Sequence, residues 1–161
     1  MSLVSRTAQY ALRAMSLLAG QPGRTTVRQL ATQVGAPQPY LARIIMTLAD
    51  KKLVDARRGP GGGLKLARRP NEITLMEIIS CFDGHGLSEE CCLGLPACSD
   101  RLQKCPIHGK WTQIRLQILD WWKVTTLEDI SIPEIADCMR EQVESHPEAF
   151  LSPHRARGHW D

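Results

Sequence analysis

The stretch TVRQLATQVGAPQPYLARIIMTLADKKLVDARRGPGGGLKL, residues 26–66, contains two short amphipathic segments followed by a glycine-rich turn. Thr26 can cap the first predicted helix, and Gly35 can end it. Apolar residues recur in both helices with the i, i+3, i+4, i+7 spacing of one helix face: Val27, Leu30, Ala31 and Val34, then Leu41, Ile44, Ile45 and Leu48. Two short helices joined at a glycine-containing turn predict a helix-turn-helix, whose second helix enters the major groove of DNA.

The segment after the second helix predicts a β-hairpin. Residues 53–56 and 64–66 are short alternating segments on either side of RRGPGGG, residues 57–63. Glycines let the backbone approach a phosphate or a groove wall, and the two arginines supply charge. A nucleotide-binding phosphate loop is excluded because no Gly-Lys-Ser/Thr follows and no helix begins there. We therefore predict a DNA-contacting wing.

The charge of the chain is divided between its two halves. The whole chain has 161 residues and a net charge of +3. Residues 1–70 carry twelve Lys/Arg and two acids, a net charge of +10, and no acid precedes Asp50. Residues 71–161 carry a net charge of −7. A basic half joined to an acidic half indicates a polyanion-binding module, with a solvated basic face as the alternative.

The candidate DNA contacts come from the basic half. Arg43 suits guanine or phosphate, and Gln38 suits adenine. The full set, drawn from the helix-turn-helix and the wing, is Arg28, Gln38, Tyr40, Arg43, Arg57, Arg58 and Gly59.

The length suits one compact domain, or a small domain with an appended element. The chain lacks an apolar run long enough to span a bilayer, and its start lacks the apolar stretch of a secretory signal, so we expect a cytoplasmic location and no membrane partner. We expect the domains 1–83 (winged helix-turn-helix, closed by a short helix over residues 74–82), 84–106 (a cysteine-containing loop), 107–124 (a long helix) and 125–161 (a helical extension and mobile tail).

The loop carries a constellation of soft metal ligands. Cys91, Cys92, Cys98 and Cys105 lie among glycines and prolines, and His108 follows. Adjacent Cys91 and Cys92 cannot easily both face one centre, so we count one of them as a spectator. The three remaining thiolates and the imidazole need a soft metal or a cluster to make chemical sense. The long gaps between the cysteines favour an iron–sulfur cluster over zinc, which usually takes tight Cys-x₂₋₄-Cys pairs, but zinc stays open.

A thiol redox enzyme that uses Cys91 and Cys92 is the third alternative, although no Cys-x-x-Cys pair accompanies them. We expect Cys81 and Cys138, on predicted helices, to be buried as small apolar residues.

The residues after the loop form an apolar stripe with heptad spacing: Ile107, Trp111, Ile114, Ile118 and Trp121. Such a stripe is typical of helix-to-helix packing. We predict a homodimer through residues 107–124, with packing inside one chain as the alternative. A capping box at residues 125–128 and a further amphipathic helix from about residue 133 are predicted next.

Four motifs together resemble the bacterial winged-helix iron–sulfur transcription regulator family that includes IscR and NsrR. They are YALRAM at 10–15, LVDARRGPGGG at 53–63, the Cys92/Cys98/Cys105 set and TLEDI at 126–130. The resemblance covers roughly residues 1–130, as judged against the family's layout of helix, wing and cluster. It implies a mainly α fold with a small β-hairpin wing and a long dimerisation helix.

The same resemblance implies a homodimer that is not an enzyme and that regulates transcription by sensing iron–sulfur status, nitric oxide or redox stress. Cys92, Cys98 and Cys105 match the family's cluster ligands, and His108 matches a histidine ligand, since residues 7–9 lack the aspartate that some members use. Mixed ligation favours [2Fe–2S], with [4Fe–4S] as the alternative. Pro37 and Pro39 stand where a family member has serines that touch DNA, so promoter preference is not transferred. A zinc-stabilised or cluster-free factor is the alternative function.

Overall fold

The computed structural model describes residues 3–84, 91, 105–131 and 133–146. The described chain is mainly helical, with one two-stranded antiparallel sheet. Its elements are α1 (Arg6–Ala19), α2 (Val27–Val34), α3 (Gln38–Asp50), β1 (Val54–Arg57), β2 (Gly63–Leu66), a 3₁₀ turn (Pro70–Glu72), α4 (Leu75–Asp83), α5 (His108–Val124), α6 (Leu127–Ile130) and α7 (Pro133–Ser145). The predicted fold class, a winged helix-turn-helix followed by a long helix, is confirmed.

Local capping fixes both ends of α2. The Thr26 hydroxyl accepts from the Gln29 backbone N–H at 3.2 Å, and the Gln29 side chain accepts from the Thr26 N–H at 3.0 Å. At the other end, Gly35 has a φ of 70°, a left-handed conformation that glycine adopts without strain. The chain therefore reverses into α3 within a few residues, as the sequence predicts.

One core joins α1, α2, α3, the hairpin and α4. Its largest side chains, all fully buried, are Met15, Leu30, Leu41, Ile44, Leu48, Leu53, Ile73 and Ile78. Burial of these apolar faces supplies most of the driving force that holds α3 in place.

The chain after α5 returns to this same core. The Leu75 N–H donates to the Thr125 carbonyl, and the Leu127 N–H donates to the Ile73 carbonyl, both at 2.9 Å. Leu127 is completely buried among the core residues. The C-terminal end of α5 is thus fixed to the start of α4 by backbone hydrogen bonds and by an apolar anchor.

The predicted C-terminal helix is present as α7. Ala136 and Met139 pack against the main core. Cys81 is half-buried, but Cys138 is exposed, so the expected burial of Cys138 is wrong. The helix turns Met139, one residue further along, toward the core instead. The predicted mobile tail lies outside the described residues.

No helix in the described ranges combines the length and apolarity that crossing a membrane requires.

Candidate nucleic-acid interface and metal site

The second helix of the helix-turn-helix, α3, has one buried and one exposed face. Leu41, Ile44, Ile45 and Leu48 are buried in the core. Gln38, Arg43 and Met46 are exposed. The helix begins after Pro37, and Pro39 lies in its first turn, where the missing N–H breaks no helical hydrogen bond. In the described part of the chain no side chain caps the N-terminal end of α3, and the face that carries Gln38, Arg43 and Met46 is exposed.

Tyr40 has a different placement from the other candidate DNA contacts. Its side chain is half-buried, and its hydroxyl oxygen lies 2.6 Å from the Thr7 hydroxyl oxygen. The rings of Tyr40 and Tyr10 pack edge to face, and their centroids lie 5.8 Å apart. These contacts brace the start of α3 against α1, so Tyr40 positions the helix, and its contact with DNA stays a prediction.

The wing is held by Arg24, which precedes α2. Its guanidinium donates to the Asp55 carboxylate at 2.5 Å, to the Gly63 carbonyl at 2.9 Å and to the Asp55 carbonyl at 3.2 Å. Arg24 therefore spans both strands, because Asp55 lies in β1 and Gly63 begins β2. The sequence analysis does not predict this role for Arg24. Asp55, the only acid in the predicted hairpin, is the signal in the sequence that points to a cationic partner.

Asp55 also fixes one of the candidate DNA contacts. The Arg57 Nε atom lies 3.3 Å from an Asp55 carboxylate oxygen. The hydrogen bond from Arg24 is the largest influence on the pKa of Asp55 and lowers it. Desolvation opposes this effect, but the charges of Arg24 and Arg57 add to it, so the pKa stays below its ordinary value. The carboxylate stays ionised and keeps both arginines oriented at the base of the wing.

A close backbone approach explains why a glycine begins β2. The Thr25 and Leu64 backbones pair through hydrogen bonds of 2.7 and 3.1 Å. A Cβ at Gly63 would lie 2.8 Å from the Thr25 carbonyl oxygen, and the Gly63 φ of 126° is unfavourable for other residues. At the tip, Gly59 has a φ of 90°, so the turn also depends on glycine there.

The remaining predicted contacts lie on α2, α3 and the wing, and all but Gly59 are arginines. Arg28, Arg43, Arg57, Arg58 and Gly59 are all exposed. Asp50 and Asp55 are the acidic residues in the part of residues 1–70 that the structure describes, and Asp55 is paired with Arg24. This arrangement attracts the phosphate backbone of a nucleic acid.

Only half of the predicted metal ligands can be placed. Cys92 and Cys98 lie outside the described residues. Cys105 and His108 are half-buried, and the His108 N–H donates to the Cys105 carbonyl at 3.2 Å, which closes a turn at the start of α5. Within the described ranges, no three metal-binding side chains lie together. A thiolate and an imidazole held in one turn fit either an iron–sulfur cluster or zinc.

The long helix α5 has both an anchored and an exposed apolar side. Trp122 is 5% exposed and packs with Leu75 and Ile79 of α4. Of the predicted stripe, Ile107, Ile114 and Trp121 are exposed, Trp121 at 56%. Trp111 and Ile118 are half-buried. Exposed apolar side chains that recur along one helix mark an interaction surface.

Comparison with known proteins gives consistent results. The model of the Rrf2 family, described as iron-dependent transcriptional regulators, matches residues 4–132. A protein of Aquifex aeolicus (strain VF5), whose name assigns it to the HTH-type transcriptional regulators, is 36% identical over 131 residues, 80% of this chain and 90% of that protein.

Two solved structures are similar over most of their length. CymR of B. subtilis, titled the global cysteine regulator, is 26% identical with a TM-score of 0.64 over 81% of this chain and 97% of that one. IscR of T. potens is 27% identical with a TM-score of 0.62 over 80% of this chain and 85% of that one. The Aquifex protein is named as a transcriptional regulator and CymR as a regulator, and neither is named as an enzyme.

Proposed function

Because the chain belongs to the Rrf2 family of transcriptional regulators, we propose that it binds promoter DNA as a homodimer whose affinity depends on an iron–sulfur cluster. Cys92, Cys98, Cys105 and His108 are the proposed ligands. The cluster is proposed to be [2Fe–2S], with [4Fe–4S] as the alternative.

The observation that carries DNA binding is the pairing of an open helix face with a rigid wing. The face of α3 is exposed at Gln38 and Arg43, and the wing is pinned at its base by Arg24 and Asp55. Preorganised cations lose little conformational entropy when they meet phosphates. In a helix-turn-helix, this geometry places the second helix in the major groove while cations at its margin contact the backbone.

The homodimer is supported by the exposed stripe of α5. Ile107, Ile114 and Trp121 recur on one side of the helix while Trp122 anchors its neighbouring side to the same chain. A second copy of α5 packed on that stripe by two-fold symmetry would bury these side chains. Two symmetry-related winged domains would then read two half-sites about one helical turn apart.

The position of the ligands supports a route from the metal site to DNA. Cys105 and His108 lie at the N-terminal end of α5, whose other end is fixed to α4 by Trp122 and Leu127. Ligation that also involves Cys92 and Cys98 would fix the segment between α4 and α5. The angle of α5 against the winged domain, and hence the spacing of two wings, would then depend on ligation. A bound cluster supplies a centre that reacts with oxidants and nitric oxide.

The likeness to CymR, which is named for cysteine and not for iron, favours a second candidate function, a regulator that carries no cluster. Zinc is compatible with the Cys105 and His108 turn as well. Both alternatives keep the DNA-binding face and differ in what holds the segment between α4 and α5.

Isolation without air tests the proposal. Iron, acid-labile sulfide and zinc are measured on the protein, and its affinity is measured on a duplex that the protein selects from a random-sequence library. We expect iron and sulfide to be present and cluster removal to change affinity by at least about fivefold. Cys105→Ser and His108→Ala should each lower the bound iron or alter the visible spectrum, and Cys91→Ser is the matched control.

The other outcomes separate the alternatives. Zinc in stoichiometric amount without sulfide supports the zinc-stabilised factor. Selective DNA binding by protein that holds neither metal after reconstitution supports the cluster-free regulator and contradicts the proposal.

A further inference from the structure

The most exposed large apolar side chain in residues 3–84 belongs to α3. Met46 is 66% exposed, although the buried residues Ile45 and Leu48 lie close to it along the helix. A single exposed methionine on an otherwise polar surface needs no explanation. Met46, however, lies in the element that the fold offers to DNA, and neighbouring residues on the same face share its chemistry.

Met46 belongs to a row of side chains with helical spacing. Pro39, Ala42, Arg43 and Met46 occupy positions i, i+3, i+4 and i+7 of one face. Pro39, Arg43 and Met46 are exposed, and Ala42 is half-buried. Recognition helices in the major groove contact base edges with side chains at this same spacing.

Three members of this row lack a strong hydrogen-bonding group in their side chains. Pro39 and Ala42 have no donor or acceptor there, and Met46 has only its thioether sulfur, a weak acceptor, so none of them suits the reading of a base through strong hydrogen bonds. The base feature that apolar side chains recognise in the major groove is the C5 methyl group of thymine. Methionine is flexible and polarisable, so its thioether can follow the position of a methyl group. The small side chain of Ala42 permits close approach of the helix to the bases.

The charges around the row favour DNA over an apolar protein partner. Arg43 lies within it, Arg28 lies on the preceding helix, and Arg57 and Arg58 lie on the wing, all of them exposed. Residues 1–70 carry a net charge of +10. An apolar protein-docking patch is typically depleted of charge at its centre, whereas an apolar row with a cationic rim matches base edges flanked by phosphates.

We propose that Met46, supported by Ala42, makes this protein selective for thymine by contact with the thymine methyl group in each half-site. This inference rests on the proposed DNA binding by α3 and adds the base that the helix prefers. The preference for thymine should be lost when the Met46 side chain is removed, and it should be retained when a residue of similar volume replaces Met46.

Replacement of single thymines by deoxyuridine tests the contact directly, because it removes only the methyl group. The complete chain first selects its preferred duplex from a random-sequence library at fixed salt. Each thymine of one half-site is then replaced by deoxyuridine, and affinities are measured by fluorescence anisotropy. For the wild type we expect about three- to fivefold weaker binding at one or two positions, the effect of one lost methyl contact.

Variants assign the effect to Met46. With Met46→Ala, the thymine and deoxyuridine duplexes should bind equally, whereas Met46→Leu should retain discrimination. Arg58→Ala should weaken binding to both duplexes alike, because a phosphate contact carries no base information. Circular dichroism and thermal unfolding check that each variant is folded. We expect the two Met46 variants to fold because residue 46 is exposed.

The failures of the two proposals are distinguishable. A wild-type protein that selects no duplex contradicts DNA binding and the inference together. Selective binding that is insensitive to deoxyuridine at every thymine, or discrimination that persists in Met46→Ala, overturns the methyl contact and leaves DNA binding intact. The methyl contact is also overturned if the Met46→Ala variant loses binding to an unrelated protein partner while its DNA selectivity is unchanged.

Discussion

Ser5 and Asp83 join the beginning of α1 to the end of α4. The Ser5 N–H donates to one Asp83 carboxylate oxygen at 2.8 Å, and the Ser5 hydroxyl donates to the other. The Ser5 oxygen also accepts from the Ala8 N–H at 3.2 Å, so the residue caps α1 as well. Asp83 is the last residue of α4, at the entrance to the segment that carries the cysteines. The pair therefore fixes the near end of that segment to the winged domain.

Asp83→Ala should weaken the coupling between ligation and DNA binding. We expect a loss of about 1–2 kcal/mol in the free energy of unfolding from the missing hydrogen bonds. We also expect the ratio of DNA affinities with and without the cluster to move toward one, while the affinity of the cluster-free protein is nearly unchanged. Urea unfolding and anisotropy titrations measure the two effects.

The control for Asp83 is another carboxylate on a helix. Asp120 lies on α5 and pairs with Lys123 at 3.1 Å on an exposed surface. Asp120→Ala should change stability by less than about 1 kcal/mol, as surface ion pairs do, and should leave the affinity ratio unaltered. Equal ratios in wild type and Asp83→Ala would show that the Ser5 contact is not part of the coupling.

The wing should loosen in acid because of Asp55. Its pKa is lowered below the ordinary value of 3.8, chiefly by the hydrogen bond from Arg24. A lowered folded-state pKa means that the carboxylate stabilises the fold above the unfolded-state pKa and that this contribution disappears as the pH falls through the folded-state pKa. The NMR line shapes of the Ala56 and Leu64 amides, or their hydrogen-exchange protection factors after correction for the intrinsic pH dependence of exchange, should therefore be constant near neutral pH and change below about pH 4.

Asp55→Asn is the matched variant for this pH response. It removes the titrating group and leaves a side chain of similar size, so the wing amides should be looser at neutral pH and should lack the acid transition. An unchanged transition in Asp55→Asn would assign it to another carboxylate.

Gly63→Ala should destabilise the hairpin. The added Cβ would meet the Thr25 carbonyl oxygen at 2.8 Å, and a φ of 126° strains any other residue. We expect a loss of about 1–3 kcal/mol, together with weaker DNA binding. Gly23→Ala is the control, since nothing lies within 4 Å of its Cβ position. Chemical unfolding of the two variants compares them, and equal stabilities would contradict the close approach at Thr25.

The sequence predicted those parts of the fold that local signals determine. The Thr26 side chain can cap a helix, and Gly35 can adopt the left-handed conformation that ends one. Both properties belong to the residue itself, so the sequence predicts α2 and the turn into α3. Arg24 was not recognised as the residue that holds the wing, because its partners Asp55 and Gly63 are about 30 and 40 residues away along the chain. Contacts of this kind depend on the packing of the whole core.

The same reason explains which tryptophan anchors α5. Heptad spacing places Trp121 in the predicted dimer stripe and gives no signal for Trp122. The backbone pairing of residues 125–127 with residues 73–75 sets the rotation of α5 and turns Trp122 toward α4. For the candidate site, the sequence predicts Cys105 and His108 as two of four ligands, and the structure places these two in one turn. Cys92 and Cys98 lie outside the described residues, so their ligation stays a prediction.

Adjacent tryptophans give a test that separates folding from assembly. Trp122 is 5% exposed and packs on Leu75 and Ile79, so Trp122→Ala should cost about 3–5 kcal/mol of unfolding free energy. Trp121 is 56% exposed, so Trp121→Ala should cost the single chain less than about 1 kcal/mol.

If the stripe of α5 pairs two chains, Trp121→Ala should instead raise the dimer dissociation constant by tenfold or more, as loss of a central aromatic does. Sedimentation equilibrium measures dissociation, and urea unfolding at low protein concentration measures folding. A Trp121→Ala protein that stays as dimeric as the wild type would place the dimer contact elsewhere, and a monomeric wild type would remove the two-fold reading of half-sites altogether.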